Sequence, residues 1–350
     1  MILRLTLFFL LALCSYANDK PNILFILADD LGSNSLNCYG NEFMETPNID
    51  QLASKGMRFT QGYANCATCK PSRAAIFSGQ YAPRTRIYRV VDRHKGLEQH
   101  VKFKIPEDDH QLGLETLTMA EALKPAGYKT ALFGKWHLGE QGNHPLKQGF
   151  DIAIKSHKTH FNFKTDPHLD HAPDEYVADF MTDRGIEFMK NCHKEKRPFF
   201  LAMTYFQIHA PYQAKADNLA HFQKKFGDKY EKKIPIIAAM LKNLDDNVGR
   251  LIKSLKDLGI SKNTLVVFTS DNGGYKVTGN ILNGEFREYK GQVYEGGIRV
   301  PYIFTWPGEI KAGAIHDERI TGIDLFPTFL DCAGLNTAQD HTLDGVSLKP

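Results

Sequence analysis

The stretch that decides the fold is residues 21–32, PNILFILADDLG. Its segment from Ile23 to Ala28 is a continuous apolar run of strand length, without the alternation of a strand that has one face in water. Such a run predicts a strand buried on both faces, as in the middle of a parallel sheet. The acidic pair Asp29-Asp30 follows directly, so two carboxylates stand at the carboxyl end of this strand.

Four further apolar runs of strand length follow, and helical patterns lie between them. These runs are Lys129 to Gly134, Pro198 to Phe206, Thr264 to Thr269 and Pro301 to Thr305. The longest helical pattern extends from Ile236 to Leu258, with leucines along one stripe and Gly259 after it. Strands that alternate with helices predict an α/β fold with a mostly parallel central sheet and helices on both faces.

The composition excludes several classes of protein. The chain has 350 residues, 42% of them hydrophobic and 24% charged, which is ordinary for a globular protein and excludes disordered and collagen-like chains. Its formal net charge of +3 is small for this length, so neither nucleic-acid binding nor a polybasic membrane patch is expected. An anion must therefore be bound by a local cluster of cations.

Residues 1–17 have the three parts of a secretory signal peptide. Arg4 supplies the positive charge, residues 5–13 form the apolar stretch, and Ala17 is the small residue before the cleavage point. The apolar stretch is too short to span a bilayer, so stable membrane insertion is not expected. We expect an exported protein, periplasmic, extracellular or in a lysosome-like compartment, whose single domain comprises residues 18–350.

Removal of the signal leaves an odd number of widely spaced cysteines, which do not form a disulfide framework. They are Cys38, Cys66, Cys69, Cys192 and Cys332. A lipoprotein anchor through Cys14 is disfavoured because the bulky Leu13 precedes it.

Oxygen-bearing side chains follow two of the predicted strands. Asp29 and Asp30 follow the first strand, and Asp271 and Asn272 follow the run that ends at Thr269. Either pair alone is also ordinary turn chemistry. In open α/β sheets, however, the carboxyl ends of parallel strands share one edge, where ligands bind. Three carboxylates at one edge repel one another unless a hard cation neutralises them, and oxygen ligands suit Ca²⁺ or Mg²⁺.

Basic side chains stand at the other strand ends. Lys135 and His137 follow the second predicted strand, His209 follows the third, and Lys290 precedes a Gly-rich turn. Taken singly, each is more commonly a structural or surface side chain. Together with Arg73 and a bound cation, they fit an anionic ester substrate.

The sequence CATCKPSRAA, which begins at Cys66, contains two overlapping motifs. Cys66 and Cys69 form a C-x-x-C, typical of thiol–disulfide exchange or of half a zinc site, whereas Cys69 to Arg73 read C-x-P-S-R. Pro71 suits the first turn of a helix that ends at Gly79, so Cys69 is expected at a helix N-terminus. Free N–H groups there bind anions and would lower the pKa of a thiol.

The segment from Cys69 to Gly79, CKPSRAAIFSG, closely resembles the active-site signature of type I sulfatases, in which the cysteine is converted to Cα-formylglycine. Further segments resemble the family in the family's order. They are residues 21–32, residues 46–56, GYKTALFGKWH at 127–137, SDNG at 270–273 and YEGGIRVP at 294–301. The resemblance implies an arylsulfatase-like member of the alkaline phosphatase superfamily, with its fold.

For the metal, the resemblance implies that Asp29, Asp30, Asp271 and Asn272 hold a divalent cation together with an oxygen of the modified Cys69. In this family the cation is most often Ca²⁺, with Mg²⁺ as the alternative. The hydrated aldehyde at position 69 would be the nucleophile, one hydroxyl attacking sulfur and the other then releasing sulfate. The expected partners are a sulfated small molecule or glycan and a maturation enzyme that makes formylglycine.

For the remaining residues, the resemblance implies separate roles. Arg73 and Lys135 would steady the group at position 69, and Lys135 would also lie near the sulfate. His137 would take the proton from the second hydroxyl. His209 and Lys290 would contact the sulfate and the leaving oxygen, with His209 as general acid.

Three features depart from the family pattern. Lys70 stands where the family usually has a small residue, and Cys66 is close enough to Cys69 for a competing disulfide. The chain ends at residues 343–350, where relatives continue, so a C-terminal subdomain is expected to be largely missing or truncated.

The leading hypothesis is a sulfatase that acts on a sulfated carbohydrate and on aryl sulfates. One alternative is a phosphonate monoester or phosphodiester hydrolase of the same superfamily, and another is a catalytically inactive sugar-binding relative. Residues 86–112 and 157–171 are either rim segments that contact a sulfated sugar or solvated loops.

Overall fold

A computed structural model describes residues 20–90, 102, 106–156, 158–276, 280–336 and 341–349, so the expected signal peptide lies outside the described residues. Within them, eight strands form one sheet in the order β4-β3-β5-β1-β6-β7-β2-β8. The strands are β1 Asn22–Ala28, β2 Met57–Tyr63, β3 Lys129–Gly134, β4 Ile152–Lys155, β5 Phe199–Thr204, β6 Thr264–Ser270, β7 Tyr302–Thr305 and β8 Ala314–Thr321.

Helices connect and cover these strands. They are α1 Pro47–Ser54, α2 Cys69–Ser78, α3 Ala82–Thr85, α4 Met119–Leu123, α5 Val177–Glu195, α6 Ala216–Phe226, α7 Lys233–Asp257, α8 Glu295–Ile298 and α9 Leu325–Cys332. Among the described residues, no helix combines the length and the apolarity needed to cross a bilayer.

Strand β1 lies in the middle of the sheet, as its uninterrupted apolar run predicts. It pairs in parallel with β5 on one side and with β6 on the other, and all seven of its residues are buried. Leu24 and Ile26 belong to the core on one face, whereas Ile23, Phe25 and Leu27 belong to the core on the other. Burying each such side chain contributes about 1.5–3 kcal/mol, so β1 anchors both layers.

The predicted mostly parallel α/β sheet is confirmed, with one local difference. Strands β4, β3, β5, β1 and β6 are all parallel, but β7, predicted from the run at residues 301–305, is antiparallel to both of its neighbours. The sequence did not predict β2, β4 and β8. Strand β8 is an edge strand with one buried residue and half of its residues exposed, so it lacks the apolar run that marks the central strands.

The helix boundaries agree with the local sequence signals. Helix α7 ends at Asp257, and Gly259 reverses the chain with a φ of +71°. The predicted helix N-terminus at Cys69 is confirmed, since Cys69 is the first residue of α2. At the other end of α2, Gly79 has a φ of +66°, and a Cβ there would lie 2.5 Å from the Leu343 side chain. Only glycine fits this turn and this close contact.

Candidate active site

The carboxyl ends of β1, β3, β5 and β6 meet at one edge of the sheet, because these strands are parallel neighbours. Backbone pairing continues one step past β1: the Asp29 N–H donates to Gln207 O at 2.8 Å, and the Ile208 N–H donates to Asp29 O at 2.7 Å. The Asp271 N–H donates to Ala28 O at 3.2 Å. The acidic residues after β1 and β6 are therefore held side by side by the sheet itself.

Three cations lie against three carboxylates at this edge, one to each. The pairs are Lys135–Asp29 at 2.6 Å, Arg73–Asp271 at 2.7 Å and Lys290–Asp30 at 2.6 Å. All three carboxylates are buried, and so are Arg73 and Lys135. The formal charges of these six groups cancel, which makes this cluster a compensated, water-poor centre.

The local charges shift the pKa values of several of these groups. Burial raises the pKa of Asp29, but the Lys135 ammonium lowers it, and the net shift is downward. Burial opposes the charge of Lys135, but Asp29 raises its pKa above the ordinary value. Burial lowers the pKa of Lys290, but the Asp30 carboxylate raises it, and the net shift is upward. These shifts favour the charged forms of Asp29, Lys135 and Lys290, whereas burial and the neighbouring Asp29 raise the pKa of Asp271 against the effect of Arg73.

Two buried oxygen atoms of the centre, Asp29 Oδ1 and Asn272 Oδ1, have no hydrogen-bond partner in the part of the chain that the structure describes. Asn272 is oriented by its amide, which donates to Asp30 Oδ1 at 2.9 Å. Ligand atoms of Asp29, Cys69 and Asp271 all lie within 4.8 Å of one another. Buried, unsatisfied carboxylate and amide oxygens are the donor set that a hard divalent cation prefers, so these residues fit such an ion.

Helix α2 carries Cys69 and Arg73 four residues apart, hence on one face. Arg73 Nε donates to Asp271, and Arg73 Nη1 donates to Lys135 O at 2.6 Å, which ties the helix to the ends of β6 and β3. Cys69 is buried among these charged groups. Burial raises the pKa of its thiol, against the effect of Lys135, and the charges of Asp29 and Asp271 raise it further.

This thiol pKa corrects one expectation from the sequence. The position at the N-terminus of α2 suggested a lowered pKa for Cys69, but burial beside two carboxylates outweighs it. An unmodified Cys69 is therefore a poor thiolate nucleophile.

The competing disulfide is not formed. Cys66 and Cys69 are both free thiols, and Cys66 Sγ lies 3.6 Å from Thr68 Oγ1. Lys70, on the first turn of α2, is half-buried.

The turn after β3 positions Lys135 and His137. Gly134 has a φ of +123°, and a Cβ there would lie 2.0 Å from Thr204 O, so only glycine allows β3 to approach β5 this closely. The Lys135 N–H donates to Thr204 O at 2.7 Å, which directs the chain across the sheet edge. His137 is half-buried two residues later, with a φ of +66°.

His209 is oriented by the backbone carbonyl of the next residue and by a second histidine. Its Nδ1 lies 2.6 Å from Ala210 O, and a carbonyl oxygen only accepts, so Nδ1 carries the proton. The other nitrogen, Nε2, lies 3.9 Å from Asp30 Oδ2, on the side of the charged centre. His160 Nε2 donates to His209 O at 2.9 Å and thus holds the turn.

His160 is a supporting residue that sequence reasoning did not identify. It lies in the segment 157–171, for which the sequence left rim contact and solvated loop as alternatives. The structure contradicts both for His160, which is fully buried and stacks between Phe206 and Tyr176 at ring distances of 4.8 and 5.5 Å. His157 lies outside the described residues. The available signal was a histidine followed by Phe161 and Phe163 in a polar segment.

Only the two ends of segment 86–112 are described in any length, since residues 91–101 and 103–105 lie outside the described ranges. These ends are tied together, because the Asp109 N–H donates to Arg86 O at 3.0 Å. The Leu112 N–H donates to Leu138 O at 2.8 Å, directly after His137. The base of this segment therefore adjoins the site.

Solved structures of other proteins share this architecture. That of Ps i-CgsB in complex with k-i-k-neocarrahexaose superposes with a TM-score of 0.83 at 29% identity, covering 95% of this chain and 76% of that one. That of the PsFucS1 sulfatase from Pseudoalteromonas gives 0.74 at 26% identity, covering 93% and 70%. The fold and the charged site at the carboxyl edge define a hydrolase of the alkaline phosphatase-like class.

Sequence comparison then gives the family. The sulfatase family model matches residues 21–335. The rat N-acetylgalactosamine-6-sulfatase is 34% identical over 97% of this chain, and human arylsulfatase A is 33% identical over 94%. The chain belongs to the sulfatase family, the sulfuric ester hydrolases, and it spans about 67% of the length of each of these two relatives.

Proposed function

We propose that this chain hydrolyses a sulfate ester carried by a sugar, with Cys69 as the precursor of a formylglycine nucleophile. The observation that carries the proposal is the position of Cys69 Sγ, within 4.8 Å of carboxylate oxygens of Asp29 and Asp271, in a charge-compensated pocket. The similarity to N-acetylgalactosamine-6-sulfatase and to the carbohydrate-bound Ps i-CgsB supports a sugar substrate.

A divalent cation, Ca²⁺ or alternatively Mg²⁺, fits this site. Asp29, Asp30, Asp271 and Asn272 would hold it together with an oxygen at position 69, because two of their oxygens are buried without a hydrogen-bond partner among the described residues. The ion would supply positive charge that favours a nucleophilic oxygen at position 69 and an anionic substrate.

Charge balance supports an anionic ester as the substrate. The three carboxylates are already matched by Arg73, Lys135 and Lys290, so a divalent ion would leave the pocket with an excess of two positive charges. A sulfate ester is anionic, and further negative charge develops on the leaving oxygen as the ester bond breaks. Preorganised positive charge in a buried pocket stabilises such a transition state.

The aldehyde hydrate at position 69, once formed, would attack sulfur with one hydroxyl and displace the alcohol; its second hydroxyl would then lose its proton, expel sulfate and restore the aldehyde. Arg73 and Lys135 orient that position from α2 and from the end of β3. His209 donates a proton from Nε2 to the leaving oxygen, because Nδ1 is committed to Ala210 O. His137 accepts the proton of the second hydroxyl, and Lys290 binds the sulfate.

Two measurements test this function. Mass spectrometry of the peptide that contains Cys69, from protein produced with a maturation enzyme, should show an aldehyde in place of the thiol. That protein should release sulfate from N-acetylgalactosamine 6-sulfate or from an aryl sulfate. Cys69→Ala should abolish release, while Cys66→Ala, at the free neighbouring thiol, should retain it.

Parallel assays decide between the alternatives. Clear preference for an aryl phosphodiester or a phosphonate monoester would assign the chain to that other branch of the superfamily. Binding of sulfated sugars without turnover of any ester would make it an inactive sugar-binding relative. A thiol retained at position 69 in active protein would contradict the formylglycine mechanism.

Export is part of the same proposal. Residues 1–17 would direct the chain out of the cytoplasm and be removed. N-terminal sequencing of the mature protein should then begin at Asn18.

A further inference from the structure

Two tyrosines that take no part in the proposed mechanism follow residues of the charged site in the chain. Tyr212 follows His209 by three residues, and Tyr275 follows Asn272 by three residues. Tyr275 is 43% exposed, and Tyr212 is half-buried against the core. Both therefore follow site residues at this edge of the sheet and leave part of the side chain exposed.

The backbone places Tyr275 next to the sulfate-binding lysine. The Lys290 N–H donates to the carbonyl of Gly274, the residue before Tyr275, at 3.0 Å. Gly274 is itself fixed, since its N–H donates to Asn283 Oδ1 at 2.9 Å. Tyr275 thus projects from a segment tied to Lys290, whose ammonium lies 2.6 Å from Asp30.

Tyr212 lies three residues past His209, on the turn that brings His209 towards the same carboxylate. His209, which begins its turn, has Nε2 3.9 Å from Asp30 Oδ2. Burial raises the pKa of the Tyr212 phenol to about 12, the charges of Asp30 and Tyr275 act in the same direction, and Lys290 acts against them. Asp30, Tyr275 and Lys290 are thus neighbours of the Tyr212 phenol, which stays neutral.

The pocket alone does not select an alcohol. Its cations and carboxylates recognise the sulfate group, which is the same in every sulfate ester. Selection of the alcohol requires a surface beside Asp30 and Lys290, where the ester oxygen would leave. A pyranose presents an apolar C–H face and a rim of hydroxyl groups, and a neutral tyrosine presents a flat apolar ring and one hydroxyl to match them.

We propose that Tyr212 and Tyr275 form an aromatic wall that binds the sugar ring bearing the sulfate, and so determine which alcohol is accepted. This inference rests on the proposed function, because it assigns the leaving group of that reaction. Such a wall favours a substrate whose sulfate is carried by a pyranose that can stack on the rings. A simple alkyl group has no such face.

Binding measurements by calorimetry test the wall. The ligands are N-acetylgalactosamine 6-sulfate, galactose 6-sulfate, p-nitrophenyl sulfate and inorganic sulfate, and the protein is the full chain with Cys69→Ala, which prevents turnover. We expect Tyr212→Ala and Tyr275→Ala each to weaken binding of a sulfated sugar about tenfold. Binding of inorganic sulfate should change less than about twofold, which also shows that the variants are folded.

Matched variants separate stacking from general effects. Tyr81→Ala is the control, because Tyr81 is 45% exposed but lies beyond the far end of α2 from Cys69, and it should change neither affinity. Tyr212→Phe and Tyr275→Phe keep the ring and should stay within about threefold of the parent. In saturation-transfer NMR, signal from aromatic protons to sugar C–H protons should weaken in the two alanine variants.

The outcomes distinguish this inference from the proposed function. Unchanged sugar affinity in both alanine variants would overturn the wall, and so would a parent protein that binds no sulfated sugar more tightly than inorganic sulfate. Failure of the native protein to release sulfate from any ester would overturn the proposed function instead, since the binding measurements do not depend on turnover.

Discussion

The Lys135 ammonium lies 2.6 Å from the Asp29 carboxylate, and both side chains are buried. Removing one partner of such a pair leaves an uncompensated buried charge, which costs about 3–5 kcal/mol. We therefore expect Lys135→Ala to lower the free energy of unfolding by about this amount and to abolish release of sulfate. Urea denaturation and a sulfate-release assay measure the two effects.

The matched control is Lys129→Ala, at the first residue of the same strand, where Lys129 is half-buried. It should change the free energy of unfolding by less than about 0.5 kcal/mol. A Lys135→Ala protein as stable as the wild type would show that Asp29 does not carry its charge in a dry pocket.

Calcium should stabilise the folded chain by binding the oxygen atoms of Asp29, Asp30, Asp271 and Asn272. At a concentration 100 times its dissociation constant, a ligand specific for the folded state adds about 2.7 kcal/mol. We expect the thermal midpoint to rise on addition of Ca²⁺ and to return when a chelator is added. Asn272→Ala and Asp30→Asn should each reduce this rise in a thermal-shift experiment.

The control for the calcium experiment is Asp257→Asn at the C-terminus of α7, where the carboxylate is 56% exposed. It should leave the calcium-dependent rise unchanged. An equal rise in the Asn272→Ala protein would mean that calcium binds elsewhere on the chain.

Asp245 of α7 should stabilise the start of α1. Its carboxylate accepts hydrogen bonds from the N–H groups of Asn48 and Ile49 at 3.0 and 2.8 Å, and those donors belong to the first turn of α1. Asp245→Ala leaves buried donors unsatisfied, so we expect a loss of about 2 kcal/mol in the free energy of unfolding by urea. Asp246→Ala, whose carboxylate is 42% exposed, should cost at most about 0.5 kcal/mol.

The stability of the fold should depend on pH through His160. Burial lowers the pKa of this imidazole from 6.5 to about 4. The folded state therefore favours the neutral form, so the stabilising contribution is complete above pH 6.5 and is lost as the pH falls from 6.5 towards 4. A pKa shift of this size corresponds to about 3 kcal/mol in the free energy of unfolding.

The expected readout is a difference between variants in urea unfolding across that pH range. In His160→Phe, which keeps a ring between Tyr176 and Phe206, the free energy of unfolding should fall less with acid than in the wild type. His193→Gln, on the exposed side of α5, should keep the wild-type slope. Identical slopes for wild type and His160→Phe would exclude His160 as the acid-sensitive group.

The central strands and most of the charged centre could be predicted because their signals are local. An uninterrupted apolar run identifies β1, and the parallel arrangement that such runs imply brings Asp29 and Asp271 to one edge without any knowledge of contacts. The glycine at the end of α2 and the proline in its first turn likewise predict where Cys69 begins a helix. These inferences need only the chain direction and the properties of single residues.

The rest depends on tertiary contacts that local sequence does not encode. Strand β8 pairs with β2 at an exposed edge, so neither its composition nor its periodicity marks it. The raised thiol pKa of Cys69 arises from burial beneath Asp29 and Asp271, which come from distant parts of the chain. His160 could not be assigned as a support for His209 because 49 residues separate the two in sequence.

The central position of β1 also determines how the molecule opens. Its backbone amides are hydrogen-bonded to β5 and β6 and shielded by two cores, so they should exchange with deuterium only when the whole domain unfolds. Local fluctuations of the outer strands leave this strand closed. Asp29 and Asp30 directly follow this strand. They should therefore keep their positions relative to β5 and β6 until the last cooperative unit of the protein unfolds.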